Sequence, residues 1–310
     1  MLGATGFRMI HAQATADSGG GARLIVVLGM HRSGTSAITR GLRALGVELG
    51  DNLYAPDPEI NAKGYWEDAD LAGLNIRLLE ALGSEWHDTR PLPHDFVERL
   101  TSGGFLPQAV DLLQTKLQSH RVFGFKDPRN SLLLPFWKRA FAQLDVRVGF
   151  VLAVRNPLSV IQSLARRDRF DFEKSARLWL MHSVHMMENT GTERERAVVD
   201  YDILMESPGE MLRRTGRSLA LEVIPSELDA YEGEFLDRTL RHSEHDPDHP
   251  ALTGFMGTML RDFYTVLRDA ACGLIALDSE AVLRQLSRAR RELDAAEAAD
   301  SDAAALALAG

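Results

Sequence analysis

Along the chain, compact apolar runs alternate with stretches in which apolar residues recur every three to four positions. Leu24-Ile25-Val26-Val27-Leu28, bounded by Gly29, predicts a strand buried on both faces of a parallel sheet. Residues 35–45 predict a helix, and residues 47–64, rich in Pro, Asp, Asn and Gly, a long loop. Long loops inside compact domains are often functional, so this one is a candidate cover for a site. From residue 67 to 82 the spacing of Leu71, Leu74, Leu78 and Leu82 predicts a helix with acids in its first turn, where the dipole favours them. Further strands are expected at residues 121–125, 146–154 and 197–201, separated by helical segments. That alternation implies an α/β domain with a central parallel sheet. Ligands of such sheets bind beyond the carboxyl ends of the strands. Those ends carry residues 29–36, Lys126-Asp127-Pro128-Arg129, Arg155-Asn156-Pro157 and Tyr201-Asp202, which should converge on one cleft.

The ends of the chain read differently. Residues 1–22 show no sustained period and finish in a Gly-rich stretch, which predicts a flexible leader. The main domain is expected over residues 23–245, followed at 246–310 by a C-terminal helical extension with an Ala-rich tail and helices near 255–270 and 279–297. Val282, Leu286, Ala289 and Leu293 share one face of the last helix, and the arginines among residues 284–291 read as solvated. That face leaves helix-mediated self-association open.

Composition narrows the class. With 45% apolar content in 310 residues, the chain can build a sizeable core. A formal charge of −9 argues against nucleic acid or an anionic membrane as partner, so any polyanion must meet a local basic pocket. One cysteine, Cys272, makes no intrachain disulfide, and neither a secretion signal nor a membrane span is evident. The expectation is a cytoplasmic protein.

The loop after the first strand carries the most specific chemistry. Gly29-x-x-x-x-Gly34, between a strand and a helix, presents successive backbone N–H groups and a helix N-terminus to an anion. A nucleoside-triphosphate loop continues with Lys and then a magnesium-binding hydroxyl. Here Thr35 stands at the Lys position and the cation lies inside the loop at Arg32, where it can neutralise a leaving oxygen. Arg32, Ser33, Thr35 and Ser36 together place a guanidinium and three hydroxyls within five positions, more than a turn needs in order to bend.

His31-Arg32-Ser33-Gly34-Thr35-Ser36-Ala37 resembles the 5′-phosphosulfate loop of the sulfotransferase family. Residues 151–157 followed by Ser163 resemble that family's 3′-phosphate element, in which an Arg at a strand end and a Ser eight residues later bracket one phosphate. Residues 198–204 with Pro208 are similar to the segment whose Tyr, here Tyr201, lies at the adenine. Gly64-Tyr65-Trp66-Glu67 and Phe125-Lys126-Asp127-Pro128-Arg129 look like the bacterial members. The likeness spans about residues 23–220 and implies a three-layer P-loop fold. It also implies 3′-phosphoadenosine 5′-phosphosulfate (PAPS) as co-substrate, adenosine 3′,5′-bisphosphate as product and no metal requirement. The chain lacks the Lys-Thr-His and late Arg-Lys-Gly segments of the cytosolic aryl and steroid enzymes, so their catalytic histidine does not transfer.

The nucleotide-binding set is therefore Arg32, Ser33, Gly34, Thr35, Ser36, Arg155, Ser163 and Tyr201, and the catalytic candidates are Arg32, Glu67, Lys126 and Asp127. Arg32 would stabilise the leaving phosphate. Lys126, by resemblance, would contact the sulfuryl oxygens, or else form a salt bridge to Asp127 or Asp202. Glu67 is the first choice of general base, its alternative being helix-dipole complementation. Asp127 is the second, unless it orients Lys126 or Arg129. His31 is expected to shape the pocket.

His182 and His185, and the group His242, His245 and His249, lack nearby carboxylate or Cys ligands and are not read as metal sites. Trp179, Leu180, Val184 and Met187 predict a packed helix face. Arg238 and Arg241 either close over the nucleotide or are solvated. The acceptor is open among small-molecule, lipid and carbohydrate hydroxyls. A P-loop kinase of a small metabolite, with Ser36 on magnesium, and a non-catalytic nucleotide-binding scaffold are the competing functions.

Overall fold

The computed structural model describes residues 21–57, 61–237 and 251–309, with side chains described as far as residue 299. Four strands, β1 (Ala22–Leu28), β2 (Val122–Lys126), β3 (Val146–Val154) and β4 (Arg196–Asp200), form one parallel sheet in the order β2-β1-β3-β4. Leu24 to Leu28 are at most 1% exposed, as a strand covered on both faces requires. The chain leaves β1 for β2 on one side and returns to β3 on the other, so the end of β1 is the switch point at which α/β sheets open a crevice.

Between β1 and β2 lie α1 (Thr35–Gly41), a 3₁₀ turn (Leu42–Leu45), α2 (Ala69–Ala81), α3 (Phe96–Ser102) and α4 (Phe105–Ser119). Helix α5 (Asn130–Phe141) joins β2 to β3, and α6 (Pro157–Asp168) and α7 (Phe172–Asn189) join β3 to β4. After β4 come α8 (Tyr201–Glu206), α9 (Pro208–Ser218), α10 (Pro225–Ala230), a π-helical turn (Tyr231–Phe235), α11 (Gly254–Cys272) and α12 (Glu280–Ala309). Helices α5, α7 and α11 touch the sheet, with α7 against both of the others, while α1 and α9 touch it in a second group with the 3₁₀ turn and α10. The result is the expected α/β domain, a central parallel sheet flanked by helices.

One boundary differs from the sequence reading in a way that affects function. The helix expected from residue 67 starts at Ala69, with Asp68 as its N-cap accepting from the amides of Asp70 and Leu71 at 3.1 and 3.2 Å. Lys116 Nζ lies 2.7 Å from the other Asp68 oxygen, which fixes that choice of cap. Glu67 therefore precedes the helix, and dipole complementation in a first turn does not explain it.

The last two helices are packed into the structure. Helix α11 lies against β3 and β4, and α12 against α7 and α11. Val282 and Ala289 are fully buried and Leu293 nearly so, so the apolar face of α12 is covered by this same chain. The arginines expected to be solvated reach acids on neighbouring helices, Arg288 to Asp262 at 3.1 Å and Arg290 to Glu188 at 3.0 Å. The sequence expectations for residues 1–20, and those for Arg238, Arg241, His242, His245 and His249, lie outside the described residues. Among the described residues no helix is long and apolar enough to cross a membrane.

Candidate functional site

The loop between β1 and α1 is shaped by contacts on both sides. Gly29 has φ +148°, and a Cβ there would lie 2.7 Å from the carbonyl oxygen of Ala153 on β3. Gly34 has φ +75°, and its Cβ would fall 2.0 Å from the ring of Tyr201. Only glycine meets both demands. Arg32 also has a positive φ, 68°, a conformation that side-chain-bearing residues adopt at a cost.

Three expected nucleotide residues from separate segments meet behind this loop. Arg32 Nε donates to Ser163 Oγ on α6 at 2.8 Å, and Arg155 Nη1, at the end of β3, donates to the Arg32 carbonyl at 3.1 Å. The Arg155 guanidinium lies 4.5 Å from the centre of the Tyr201 ring. Trp179 Nε1 on α7 donates to the Arg155 carbonyl at 3.2 Å, so that packed helix face also fixes the arginine. Loss of solvent and then the charges of Arg167 and Arg155 lower the pKa of Arg32, the sign of a positively charged cluster within an acidic protein.

In front of the loop lies a cavity of about 810 Å³. Its wall includes Arg32, Thr35 and Ser36 from the loop region, Glu67 and Lys126 from the other expected elements, and His31. Ser33, Gly34, Arg155, Ser163 and Tyr201 are not on that wall; they form the layer that supports it. Lys126 Nζ bonds Glu67 Oε1 at 2.5 Å, so its ion-pair partner is neither Asp127 nor Asp202. Burial, and after it the charge of Asp127, push the Glu67 carboxyl up, against the opposing pull of Lys126. A carboxylate raised in this way holds a transferred proton more readily than an ordinary one.

Asp127 is fully buried and holds Arg129, with Nη1 to Oδ2 at 2.6 Å and the Arg129 amide to Oδ1 at 2.9 Å. It does not line the cavity, so of its two expected roles the structure shows orientation of Arg129.

The long loop is tied to the β1–α1 region through Ser36. Its hydroxyl accepts from Asn61 Nδ2 at 3.0 Å and from Lys126 Nζ at 3.4 Å, and donates to the Tyr65 carbonyl at 3.0 Å. Trp66, at φ +55°, donates from Nε1 to the Lys63 carbonyl at 2.8 Å and packs edge-on to Phe235. These contacts seat Glu67 beside Lys126. His31 packs on Trp86 at 4.2 Å between ring centres, and burial followed by His182, Arg129, Arg167 and Lys126 holds its pKa well below the ordinary value. A neutral ring in the wall is what its expected pocket-shaping role requires.

The sequence reading did not single out Tyr54, Asn61, Trp86, Arg167 and Asp168, which also line the cavity, or Ser131, whose Oγ accepts from the Gly29 amide at 2.9 Å. None carries a local pattern. Tyr65 and Arg129, which line it too, belong to the Gly-Tyr-Trp-Glu and Phe-Lys-Asp-Pro-Arg motifs. His182 is fully buried with its pKa pushed down to about 3, and His185 is lowered to about 4, both chiefly by burial. Among the described residues no group of three or more His, Cys, Asp or Glu is arranged to hold a metal ion.

No protein-family model matches this sequence, and no curated protein matches it. Among solved structures, the chain is similar to the sulfotransferase domain from the Synechococcus PCC 7002 olefin synthase, at 15% identity and a TM-score of 0.42, over 90% of this chain and 97% of that one.

Proposed function

We propose that this chain is a sulfotransferase that moves a sulfuryl group from PAPS to a hydroxyl. The observation that carries the reading is the Arg32–Ser163 hydrogen bond with Arg155 against the Arg32 carbonyl. It brings the β1–α1 loop beside an Arg–Ser pair, and in this reading the pair takes the 3′-phosphate, a group that ATP lacks. The cavity, at about 810 Å³, falls within the roughly 300–1,000 Å³ of small-molecule sites.

In this reading the loop amides and Arg32 hold the 5′-phosphosulfate, Arg155 and Ser163 the 3′-phosphate, and Tyr201 lies on the adenine side. The acceptor hydroxyl attacks sulfur. A new O–S bond forms as the bond from sulfur to the 5′-phosphate oxygen breaks, and that electron pair leaves with adenosine 3′,5′-bisphosphate. The hydroxyl proton passes to Glu67. Arg32 and Lys126 offset charge on the leaving phosphate and the sulfuryl oxygens.

The hydroxyl that the kinase reading needs, that of Ser36, is engaged with Asn61, Lys126 and the Tyr65 carbonyl. A buried Glu67–Lys126 pair in the cavity wall favours catalysis over a scaffold. Calorimetry tests the proposal. Adenosine 3′,5′-bisphosphate should bind at least about tenfold tighter than ADP or AMP, the value of one charge-assisted phosphate contact. Equal affinities would overturn it.

A further inference from the structure

The wall of the cavity is unlike that of a lipid or steroid site. Among its described residues only Ala55 and Pro128 carry purely aliphatic side chains, and Leu, Ile, Val, Met and Phe are absent. Small-molecule pockets are lined predominantly by hydrophobic and aromatic groups. An alkyl chain or a sterol would here strip water from charged and hydrogen-bonding groups and offer them no contacts in return.

The wall instead combines aromatic rings with a dense set of donors and acceptors: Tyr54, Tyr65 and Trp86 beside Asn61, Arg129 and Asp168. A pyranose suits that combination, since its equatorial hydroxyls need many partners and its C–H face needs an aromatic surface. The rings are not equally available. Trp86 is already covered by His31 at 4.2 Å and by the Arg167 guanidinium at 5.3 Å. Tyr54 is 37% exposed and has no aromatic or cationic neighbour over its ring among the described residues. Its amide donates to the Glu67 carbonyl at 3.0 Å, and Leu53 bridges Asp68, so the backbone pairs Tyr54 with the residue that would take the acceptor's proton, and both line the cavity.

We infer that the acceptor is a sugar hydroxyl and that Tyr54 is the platform on which the sugar ring stacks. The inference rests on the sulfotransferase reading for its chemistry: the sugar C–O–H becomes C–O–SO₃⁻, its proton goes to Glu67, and adenosine 3′,5′-bisphosphate leaves with the electron pair. The sugar subsite itself is observable without the donor.

The probes are methyl glycosides of glucose, galactose, mannose and N-acetylglucosamine, with 2-naphthol and 1-octanol as contrasts. Each is offered to the full chain in saturation-transfer NMR, and then with labelled PAPS and mass measurement of the product. At least one glycoside should bind and be sulfated. Tyr54→Ala should weaken glycoside binding, or raise its KM, about tenfold at unchanged affinity for adenosine 3′,5′-bisphosphate, and Tyr54→Phe should stay within about twofold of wild type. Binding of no glycoside overturns the inference, as does sulfation of naphthol or octanol in place of every glycoside, or a Tyr54→Ala variant that binds glycosides as wild type does. If a glycoside binds in a Tyr54-dependent way and the bisphosphate does not bind, the sugar subsite stands and the donor assignment falls.

Discussion

Arg32 Nε and Ser163 Oγ, 131 residues apart in sequence, share a hydrogen bond of 2.8 Å. The bond joins the turn after β1 to helix α6 after β3, and so determines where the loop cation points. Ser163→Ala removes the acceptor and leaves the loop backbone in place. Affinity for adenosine 3′,5′-bisphosphate should fall about three- to tenfold, the range of one ordinary hydrogen bond, and Arg155→Ala should cost more because it removes a charge as well. Calorimetry on the two folded variants checks both. Wild-type affinity in Arg155→Ala would detach this residue from the nucleotide.

Glu67 and Lys126 give a prediction about rate and pH. The base accepts a proton only when ionised, so turnover should decline as pH falls through the Glu67 pKa. Since burial raises that pKa, the decline should begin above the ordinary carboxylate range. Glu67→Gln should retain bisphosphate binding, slow turnover by roughly a hundredfold or more and abolish this acid limb. An unchanged pH–rate profile in the variant would move the base elsewhere.

These two pairs also show which parts of the site were legible in the sequence. Strands β1 and β3 read clearly because a strand buried on both faces must be continuously apolar, and the loop read clearly because its glycines, Arg32 and hydroxyls are contiguous. Partner choice was not legible. Lys126 lies one residue from Asp127, yet pairs with Glu67, 59 positions away, because the strand end and the long loop meet only in the fold. The start of α2 was misjudged because Glu67 and Asp68 both satisfy the preference for an acid, and the choice between them rests on Lys116, on α4. The apolar stripe of α12 has the same period whether it covers α7 and α11 of its own chain or another molecule. Tyr54 and Trp86 stand in segments with no period, and Arg167 is one of two adjacent arginines in the last turn of α6, so nothing local announced them.

Gly34 supplies a test of the loop geometry. In Gly34→Ala the new Cβ would collide with the Tyr201 ring at 2.0 Å, in a backbone conformation, φ +75°, that alanine adopts at a cost. Destabilisation of about 1–3 kcal/mol or more is expected in urea unfolding. Adding Tyr201→Ala should recover the part due to the collision and leave the backbone part. Strict additivity of the two substitutions would show that the ring does not constrain the loop.

Asp200, at the end of β4, ties the C-terminal region to the carboxyl end of the sheet. Its Oδ1 accepts from the Ile203 amide and caps α8, while Tyr264 on α11 donates to Oδ2 at 2.8 Å. Burial, and after it the charge of Asp202, raise its pKa from 3.8 to about 6. Between those two values the folded state holds a proton that the unfolded state has released, so the contribution of this group is most favourable below the lower value and is lost as pH rises through the upper one. At pH 8 the ionised carboxylate therefore costs up to about 3 kcal/mol relative to acid conditions. Asp200→Asn keeps an oxygen for the Ile203 amide and has an NH₂ group to donate to the Tyr264 hydroxyl, and it carries no charge. Urea unfolding of the variant and the wild type at pH 5 and pH 8 should show the variant gaining relative to wild type at the higher pH. A difference that is the same at both values would mean that Asp200 ionises in the folded protein as readily as in the unfolded chain.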